Sequence, residues 1–365
     1  MRILHINNER TWRGGERQTL LTAVEQRRQG LDAQLACRRG SPLEVAAKAE
    51  GLPVLGLSSF MPTALVALAR AARSYDLLHC HTGRAHSLAA LANLLSPRPT
   101  VVSRRVDFVP RNSRFNRWKF RRASRVVCVS KWVADVMLTW GLPVEKTQVI
   151  YEAVPEGTCL LRSEARSGLR ARTGIRDACN IVGNIAALVE HKDQATLLRA
   201  ARAVADRRPE VAFVIVGEGK LKPQLLELRE NLKLTGIVYL TGFIPEAQRY
   251  LSGFDVFAMS SKMEGLGTIV LDAALAGVPV ATTAGGGLPE AVLNEQTGLV
   301  VPAGDAEGLA RAILRLLEDA PLAERLAKAA RARIAADFSL TSMARRYVEV
   351  YHQVLAAGRV NLVLE

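Results

Sequence analysis

The stretch EGLGTIVLD, residues 264–272, joins a loop to a predicted helix. It follows the apolar, β-rich run DVFAMS (255–260), and it opens with the carboxylate of Glu264 and two glycines. The apolar run from Thr268 onward predicts a helix, with Asp272 about one turn into it. A loop carboxylate can hold sugar hydroxyls, and the unpaired N–H groups at a helix start can hold a phosphate. Because a lone buried carboxylate is costly, Asp272 either meets a ligand or pairs with a polar neighbour.

Short apolar runs alternate with helical patterns along the whole chain, and this pattern predicts parallel sheets built from βαβ units. In the first half, candidate strands are residues 2–7, 33–37, 53–57, 76–80, 100–104, 125–130 and 148–151. In the second half they are residues 180–186, 211–217, 237–242, 255–260, 278–283 and 298–302. The two sets are separated by a polar, irregular segment at 152–178.

The 365 residues are therefore expected to form an α/β protein with two Rossmann-like domains facing each other across a cleft. We place the N-terminal domain at 1–155 and the C-terminal domain at 156–340. Residues 341–365 are expected to form a C-terminal helix that can pack back on the N-terminal domain.

The bulk composition, 49% hydrophobic and 23% charged, is that of a globular protein. No apolar run reaches the roughly 18 residues that a membrane-spanning helix needs, and the N-terminus lacks the apolar core of a secretion signal. The five cysteines are scattered without a CxxC pair, which favours buried thiols in a reducing cytosol over metal ligands.

The net charge of +14 is concentrated in the first half of the chain. Residues 1–155 hold 24 Lys and Arg against 11 Asp and Glu, whereas the rest of the chain is nearly neutral. This asymmetry indicates an anionic partner for the N-terminal domain, such as a membrane surface, a phosphorylated lipid or sugar, or nucleic acid.

In open α/β sheets, ligands bind at the carboxyl ends of the strands, so the residues after the strands are the candidates for a site. Gly15 lies in a glycine pair before a predicted helix, where backbone N–H groups can approach a phosphate. His81, at the end of HCH, can donate to a phosphate or a sugar hydroxyl, and Lys192 can meet a diphosphate. A plain turn, a structural histidine and a solvated lysine are the alternative interpretations of these three residues.

Further glycine turns close later strands. Gly217 lies in VGEG and Phe243 follows the turn glycine of TGF, where a nucleotide base can be recognised. The triplet at 285–287 contains more glycine than a turn requires.

The segment EGLGTIVLDAALAGVPVATTAGGGLPEAV (264–292), followed by GLVVPAGD, closely resembles the most characteristic part of the family 4 retaining glycosyltransferases, which have the GT-B fold. The likeness extends to the N-terminal glycine pair, HCH, the run VVCVSKWVADVM and the lysine of EHKD. It covers most of the chain in consistent order.

The resemblance implies roles for individual residues. Glu264 resembles the first glutamate of the family's E-x7-E pattern, which holds the donor sugar near its reacting centre, and Asp272 stands where the second glutamate usually contacts the ribose. His81 resembles the histidine near the donor phosphate and the transferred sugar. The implied donor contacts further include Lys192 and Gly15 at the phosphates and the backbone of Leu266, Gly267 and Thr268.

Two departures from the family pattern affect the donor contacts. Asp272 is one methylene shorter than the usual glutamate, so the ribose contact is expected to be remodelled or bridged by water. Many members also have Arg-Leu where this chain has Ala187-Leu188, which removes one guanidinium from the diphosphate contacts. Lys192, the helix start, or a basic residue such as Arg13 or Arg17 must then meet the phosphate charge.

The resemblance also implies a mechanism in which the acceptor hydroxyl attacks from the face that the diphosphate leaves, with retention at the anomeric carbon. The protein stabilises the leaving charge and positions the acceptor. No Asp-x-Asp pair occurs in the chain, so we expect no metal and no cofactor beyond a nucleotide-sugar co-substrate of unknown base.

The segment from Ser103 to Arg125 holds nine Lys and Arg, one acid and four interleaved aromatic residues. A solvated helix face and nucleic acid binding are possible interpretations, but arginines with Trp and Phe fit membrane or anionic-lipid docking better. Candidate acceptor or membrane residues are Arg104, Arg105, Trp118, Arg121 and Arg122. Arg104 and Arg105 end a strand and can instead face the cleft.

The sequence therefore predicts a retaining glycosyltransferase that uses a nucleotide-sugar and acts on a lipid-linked or phosphorylated cell-envelope glycan, such as lipopolysaccharide core. It is expected in the cytoplasm, peripherally associated with the inner face of the membrane, with no nucleic acid partner. The alternatives are a nucleotide-sugar epimerase on the same fold and a non-catalytic protein that binds an anionic ligand or nucleic acid.

Overall fold

The computed structural model describes residues 1–176 and 179–363, with side chains described up to residue 357. Its internal contacts divide the chain into two compact units. The N-terminal unit comprises Met1–Ala153 and Leu340–Glu365, and the C-terminal unit comprises Val154–Ser339.

The N-terminal unit is a seven-stranded parallel sheet with the strand order β3-β2-β1-β4-β5-β6-β7. Its strands are β1 Arg2–Asn7, β2 Asp32–Arg38, β3 Val54–Leu57, β4 Leu77–Cys80, β5 Thr100–Arg104, β6 Arg125–Cys128 and β7 Thr147–Val149. Its first six helices are α1 Gly14–Arg28, α2 Pro42–Ala49, α3 Met61–Ala72, α4 Gly83–Ala92, α5 Arg114–Arg122 and α6 Lys131–Thr139, followed by a 3-10 turn at Val144–Lys146. Several helices begin at a serine or threonine whose hydroxyl accepts from the first turn, as Thr82 does from Ala85.

The C-terminal unit is a six-stranded parallel sheet with the order β10-β9-β8-β11-β12-β13. Its strands are β8 Ile181–Ile185, β9 Ala212–Val216, β10 Val238–Gly242, β11 Val256–Met259, β12 Val280–Thr283 and β13 Leu299–Val301. Its helices are α7 Arg162–Thr173, α8 Gln194–Arg207, α9 Lys222–Asn231, α10 Thr268–Leu275, α11 Leu288–Ala291, α12 Ala306–Glu318 and α13 Ala320–Asp337, with 3-10 turns at Glu190–Lys192 and Ala247–Gly253.

The last helix, α14 (Leu340–Val363), returns the chain to the N-terminal unit. Its buried side chains include Met343, Tyr347, Val350 and Tyr351, and they share one hydrophobic cluster with residues of β1, β4, β5 and β6. This helix is therefore part of the N-terminal core although it follows the C-terminal unit in sequence.

The prediction of an α/β fold with two parallel sheets is confirmed, and each predicted strand is present with ends within two residues of those expected. The polar segment 152–178 was wrongly predicted to be irregular throughout, because it contains α7. That helix buries only Ala165 and Leu169, so its apolar periodicity is too weak to read from sequence. A smaller correction concerns Gly14 and Gly15, which form the first turn of α1 rather than preceding it.

Candidate functional site

Each sheet has one point at which the chain reverses its direction of winding. In the N-terminal unit β1 lies between β2 and β4, and in the C-terminal unit β8 lies between β9 and β11. The loops after such neighbouring strands diverge to opposite faces of the sheet and leave a crevice at the carboxyl edge. The segments that matter are thus those that follow β1, β4, β8 and β11, which hold Gly15, His81, Lys192 and Glu264.

In the C-terminal unit, Lys192 and Glu264 are in contact. The Glu264 carboxylate accepts hydrogen bonds from the ammonium of Lys192 and from the Ser261 hydroxyl, the latter at 2.8 Å. The pair is mostly shielded, since the Lys192 side chain is 18% exposed and that of Glu264 9%. A cation and a carboxylate from two neighbouring loops are thus held together beside the start of α10.

The loop that carries Lys192 is fixed by its own backbone and by the loop after β11. Asp193 adopts the left-handed conformation with φ of 46°, which turns the chain directly after Lys192. The Ser260 hydroxyl donates to the Lys192 carbonyl at 3.1 Å, and the Lys262 N–H donates to the His191 carbonyl at 2.8 Å. These bonds hold Lys192 in register with the segment that leads to Glu264.

The glycines around Glu264 are required by close packing. A Cβ at Gly285 would lie 2.1 Å from the Ser261 carbonyl oxygen, and one at Gly286 would lie 2.3 Å from that of Glu264. Gly267, with φ of 82°, precedes α10, and a Cβ there would lie 2.6 Å from a methyl of Leu288. The loop after β12 is therefore laid directly against the loop of Glu264 and supports its backbone.

The start of α10 contains the other residues of this predicted donor site. Leu266 is buried, Thr268 is the first residue of α10, and Asp272 lies one turn later with 3% of its surface exposed. Asp272 is thus an interior residue of α10.

Gly217 and Phe243 lie after the next two strands of the same sheet. Gly217 has φ of 148°, and a Cβ there would lie 1.9 Å from the Ala186 carbonyl oxygen. Both the positive φ and this close contact require glycine at the position. Phe243 follows β10 and is 64% exposed. An exposed ring at the carboxyl edge of a parallel sheet is available to stack on a planar ligand.

In the N-terminal unit, His81 lies inside the protein, with 3% of its surface exposed. Both ring nitrogens have partners: Nε2 lies 2.9 Å from Nδ1 of His5, and Nδ1 lies 3.0 Å from a terminal nitrogen of Arg105. Arg105 also donates to the His81 carbonyl at 3.1 Å. The side chain of this predicted site residue is therefore held by two neighbours.

Arg105 forms an ion pair with Glu152, in which Nε donates to the carboxylate at 2.6 Å and both side chains are 10% exposed. Its Cδ also lies 3.9 Å from where a Cβ on Gly15 would be, so Gly15, His81 and Arg105 converge. Burial raises the pKa of Glu152, and Arg105 acts against that rise. The pair is an internal support for the loop after β4.

Arg104 is likewise placed in the interior, with 9% of its surface exposed. Its guanidinium donates to the Phe108 carbonyl and lies 5.0 Å from the centre of the Phe108 ring. Burial lowers the pKa of Arg104 to about 10.

The other residues predicted for acceptor or membrane contact lie on α5. Arg121 and Arg122 are exposed, and the half-buried Trp118 ring stacks on Phe115 at 5.5 Å with the Arg122 guanidinium 5.6 Å from its centre. In the loop before α5, Phe108 and Val109 are each 58% exposed. Exposed apolar and cationic side chains thus alternate on this part of the unit.

Sequence reasoning missed four residues that form one hydrogen-bonded network with the predicted residues His81 and Arg105: His5, Gln26, Glu152 and Tyr351. His5 was detectable in principle, because it lies on β1 beside His79 of β4 in a parallel pair. The others were not detectable, since Tyr351 lies 272 residues from its partner His79. Burial lowers the pKa of His5 to about 4 and holds the pKa of His81 well below its usual range.

Two family models match this chain. The model described as glycosyl transferases group 1 matches residues 166–333, and the model described as Glycosyltransferase Family 4 matches residues 12–156. The first spans the segment of Lys192 and Glu264, and the second spans that of Gly15, His81 and Arg105. The chain belongs to glycosyltransferase family 4.

Several curated proteins resemble this family 4 member. The GDP-mannose-dependent monoacylated alpha-(1-6)-phosphatidylinositol monomannoside mannosyltransferase of Corynebacterium glutamicum is 30% identical over 251 residues, which are 64% of this chain and 65% of that protein. The lipopolysaccharide core biosynthesis glycosyltransferase LpsE of Rhizobium meliloti is 29% identical over 63% of this chain and 65% of that protein. The chain thus spans about 65% of the length of these curated relatives.

Solved structures agree on the fold. The crystal structure of Anabaena Alr3699/HepE in complex with UDP and glucose has a TM-score of 0.85 and 22% identity, covering 96% of this chain and 99% of that one. A glycosyltransferase from Rickettsia africae has a TM-score of 0.81 and 20% identity, covering 97% and 98%. The family 4 chain therefore has the GT-B fold.

Within the described part of the family 4 chain, no helix has both the length and the apolar character to cross a membrane. The thiols of Cys37, Cys80 and Cys128 are buried, while Cys159 and Cys179 are partly exposed. Burial raises the pKa of the Cys37 and Cys128 thiols to about 12, so these thiols stay protonated near neutral pH.

Proposed function

We propose that the chain is a retaining glycosyltransferase that transfers a sugar from a nucleotide-sugar to a lipid-linked or phosphorylated cell-envelope glycan, such as lipopolysaccharide core. The observation that carries this proposal is the contact between Lys192 and Glu264 beside the start of α10. A leaving diphosphate needs a cation and backbone N–H groups, and a sugar ring needs an acceptor of its hydroxyl protons. This arrangement offers all three within one loop cluster.

In this proposal each residue has a separate task. Lys192 moves from Glu264 to the diphosphate when the donor binds, and Glu264 is then free to accept from the sugar hydroxyls. The N–H groups of Leu266, Gly267 and Thr268 face the phosphates, and Phe243 lies near the base. Asp272 is the candidate contact to the ribose.

Further members of the proposed site are Gly15, which admits the phosphates, and Gly217, which shapes the loop before α9. His81 is proposed to act at the transferred sugar. No step in the proposal requires a metal or another cofactor, because Lys192 and the helix start supply positive charge where the leaving group departs.

Ligand binding tests the donor part of the proposal. A thermal-shift panel of nucleoside diphosphates and their sugars is expected to raise the melting temperature with at least one base, since a ligand that binds only the folded state stabilises it by mass action. The base is left open, since a relative uses GDP-mannose by name and a structural neighbour holds UDP. No shift with any base would count against a donor site.

Stereochemistry tests the retaining part. Once a donor is identified, proton NMR of the newly formed glycoside is expected to show the anomeric configuration of the donor sugar. Inversion at the anomeric carbon would contradict the proposal, and interconversion of one nucleotide-sugar into another without transfer would favour an epimerase.

We further propose that the chain associates with the inner, cytoplasmic face of a membrane through α5 and the loop before it, the "α5 surface" (residues 106–122). The support is the alternation of exposed Phe108, Val109 and Phe115 with exposed arginines, a combination that suits an interface of anionic lipids. The relatives that act on phosphatidylinositol mannosides and on lipopolysaccharide core are consistent with a lipid-linked acceptor. Arg104 supports this surface from within, because its guanidinium donates to the Phe108 carbonyl.

Vesicle co-sedimentation tests the membrane proposal. We expect binding to vesicles that contain anionic lipid at low salt and weaker binding at high salt, because the Debye length falls from about 30 Å at 0.01 M salt to about 3 Å at 1 M. Equal binding to neutral and anionic vesicles, or none to either, would contradict it.

A further inference from the structure

Three buried histidines lie together beneath the loop after β4. His5, His79 and His81 each offer a nitrogen within 4.8 Å of the others, and their rings are 4.0 to 5.2 Å apart. All six ring nitrogens have hydrogen-bond partners in the described part of the chain. The cluster is therefore organised by hydrogen bonds, and the partners decide where each proton resides.

The direction of these bonds is set at Arg105. A guanidinium can only donate, so Nδ1 of His81, at 3.0 Å, must accept and the His81 proton must be on Nε2. That Nε2–H then donates to Nδ1 of His5 at 2.9 Å, which leaves the His5 proton on Nε2. Glu152 holds Arg105 in an ion pair, so the guanidinium that sets the direction of these hydrogen bonds is fixed in place.

The same direction continues to the C-terminal helix. The Nε2–H of His5 donates to the side-chain oxygen Oε1 of Gln26 at 3.0 Å. The side-chain nitrogen Nε2 of Gln26 donates to the Tyr351 hydroxyl at 3.0 Å. The Tyr351 hydroxyl donates to Nδ1 of His79 at 2.7 Å, and Nε2–H of His79 donates to Ser103 at 2.8 Å. Each donor in the series thus meets an acceptor. If the direction of the bonds were reversed, the Nδ1–H of His81 would face the N–H groups of Arg105.

Burial supports the same assignment. His5, His79 and Tyr351 have no measurable exposure and His81 has 3%. Burial lowers the pKa of His5 to about 4 and keeps the pKa values of His79 and His81 well below the usual range, so the rings stay neutral. A metal ion would require the rings to give up these bonds next to a fixed positive charge.

We infer that this series of bonds, from Arg105 through His81, His5 and Gln26 to Tyr351 and His79, holds His81 as a neutral imidazole with its proton on Nε2. Arg105, Gln26 and Tyr351 are then positioning residues for the N-terminal part of the site. The inference rests on the proposed function in assigning His81 to the site, and it adds that His81 acts without exchanging a proton. The C-terminal helix becomes part of what fixes His81.

The first experiment is long-range proton–nitrogen NMR of the full chain labelled with [15N]histidine. It reports the tautomer of each ring without any turnover. We expect His5, His79 and His81 all to carry the proton on Nε2 and to stay neutral between about pH 7 and about pH 5.5. A proton on Nδ1 of His81, a cationic His81 in this range, or loss of the three signals into a stable zinc complex would overturn the inference.

The second experiment compares Tyr351→Phe with Tyr75→Phe. Both variants remove a tyrosine hydroxyl that makes a hydrogen bond in the same unit, but Tyr75 bonds Gln34 outside the cluster. Tyr351→Phe is expected to shift or broaden the His5, His79 and His81 signals and to lower kcat about tenfold with KM within twofold. Tyr75→Phe is expected to leave the three signals unchanged.

Unchanged His5 and His81 signals in Tyr351→Phe would overturn the role of the C-terminal helix. If Tyr351→Phe does not fold, Gln26→Met removes the same link from α1 and is read in the same way. The nitrogen signals also separate the two proposals. If the wild-type spectrum is as expected but no donor is turned over, the series of hydrogen bonds is supported and only the proposed function is contradicted.

Discussion

At the residue scale, the contact between Lys192 and Glu264 is the feature with the clearest chemical consequence. Each side chain is the partner of the other in this structure, and both are largely shielded from water. Hydrogen bonds to charged groups of this kind contribute about 1.5 to 3 kcal/mol. Removing either partner therefore affects the other, and the two must be tested with matched controls.

Lys192→Met is expected to weaken binding of the nucleoside diphosphate by roughly 10- to 100-fold, because one charge-assisted bond to the phosphates is lost. Isothermal titration calorimetry measures this change directly. The control is Lys328→Met, which removes an exposed lysine of α13. Equal affinities in the wild type and Lys192→Met would remove Lys192 from the donor site.

The buried histidines predict how stability depends on pH. The pKa of His5 is about 4 in the fold against 6.5 for the free side chain, so between these values the unfolded chain binds more protons. Stability from this group is thus fully present above about pH 6.5 and decreases as the pH falls toward 4, by about 3 kcal/mol for His5 alone. His79 and His81 act in the same direction, while the raised pKa of Glu152 opposes them. Urea unfolding at a series of pH values measures the sum, and equal stability at pH 7 and pH 5 would contradict neutral buried histidines.

At the element scale, β8 shows how closely the C-terminal core is packed. Gly183 of β8 faces the Phe254 ring, and a Cβ there would lie 2.1 Å from a ring carbon. Phe254 is itself completely buried, so the ring has little room to move. The strand therefore requires glycine at this position because of close packing against Phe254, and not because of a turn.

Gly183→Ala is expected to destabilise the protein by about 1 to 3 kcal/mol, as overpacking of a core does. The matched control is Gly83→Ala in the first turn of α4, where an added Cβ meets nothing within 4 Å. Chemical denaturation of both variants gives the two free energies of unfolding. A Gly183→Ala variant as stable as Gly83→Ala would show that Phe254 can move aside.

Arg121 and Arg122 are exposed arginines of the α5 surface. Reversing two exposed charges, in Arg121→Glu with Arg122→Glu, is expected to weaken binding to anionic vesicles at least tenfold, since each basic residue near such a surface contributes about 1 kcal/mol. The control makes the same change of net charge on α13, in Lys328→Glu with Arg331→Glu. Equal loss in both double variants would show that net charge alone governs binding, and not this surface.

At the scale of the whole molecule, the chain order and the packing order differ. Helix α14 comes last in sequence but supplies core side chains to the N-terminal unit. Five of its larger buried side chains, Met343, Tyr347, Val350, Tyr351 and Val354, contribute on the order of 10 kcal/mol in total, at about 1.5 to 3 kcal/mol for each. That is comparable with the whole stability of a typical domain.

Deleting residues 340–365 is therefore expected to unfold the N-terminal unit while the C-terminal unit stays folded. Hydrogen–deuterium exchange resolves the two: peptides from β1, β4 and β5 are expected to lose protection, and those from β8, β9 and β11 to keep it. Full protection of the N-terminal sheet after the deletion would contradict the role of α14 in its core.

Much of this architecture is readable from sequence because parallel strands buried on both faces appear as short apolar runs between helical patterns. The same reading places Lys192 and Glu264 after β8 and β11, which the topology makes neighbours. Helix α7 was missed because it buries only two side chains. The bonds of His81 to His5 and Arg105 were missed because they join residues 76 and 24 positions away, and side-chain partners at such separations leave no local pattern.

The proposed transfer of a sugar from a nucleotide donor places Glu264 at the reacting centre. The most direct measurement is the rate of nucleoside diphosphate release from the donor identified by thermal shift, in the presence of an envelope lipid extract, for the wild type, Glu264→Gln and the exposed control Glu307→Gln. We expect release by the wild type and by Glu307→Gln, and a rate about 10² to 10³ lower for Glu264→Gln, as for loss of one preorganised polar contact, while circular dichroism shows that the variant is still folded. Equal rates in the wild type and Glu264→Gln would contradict it.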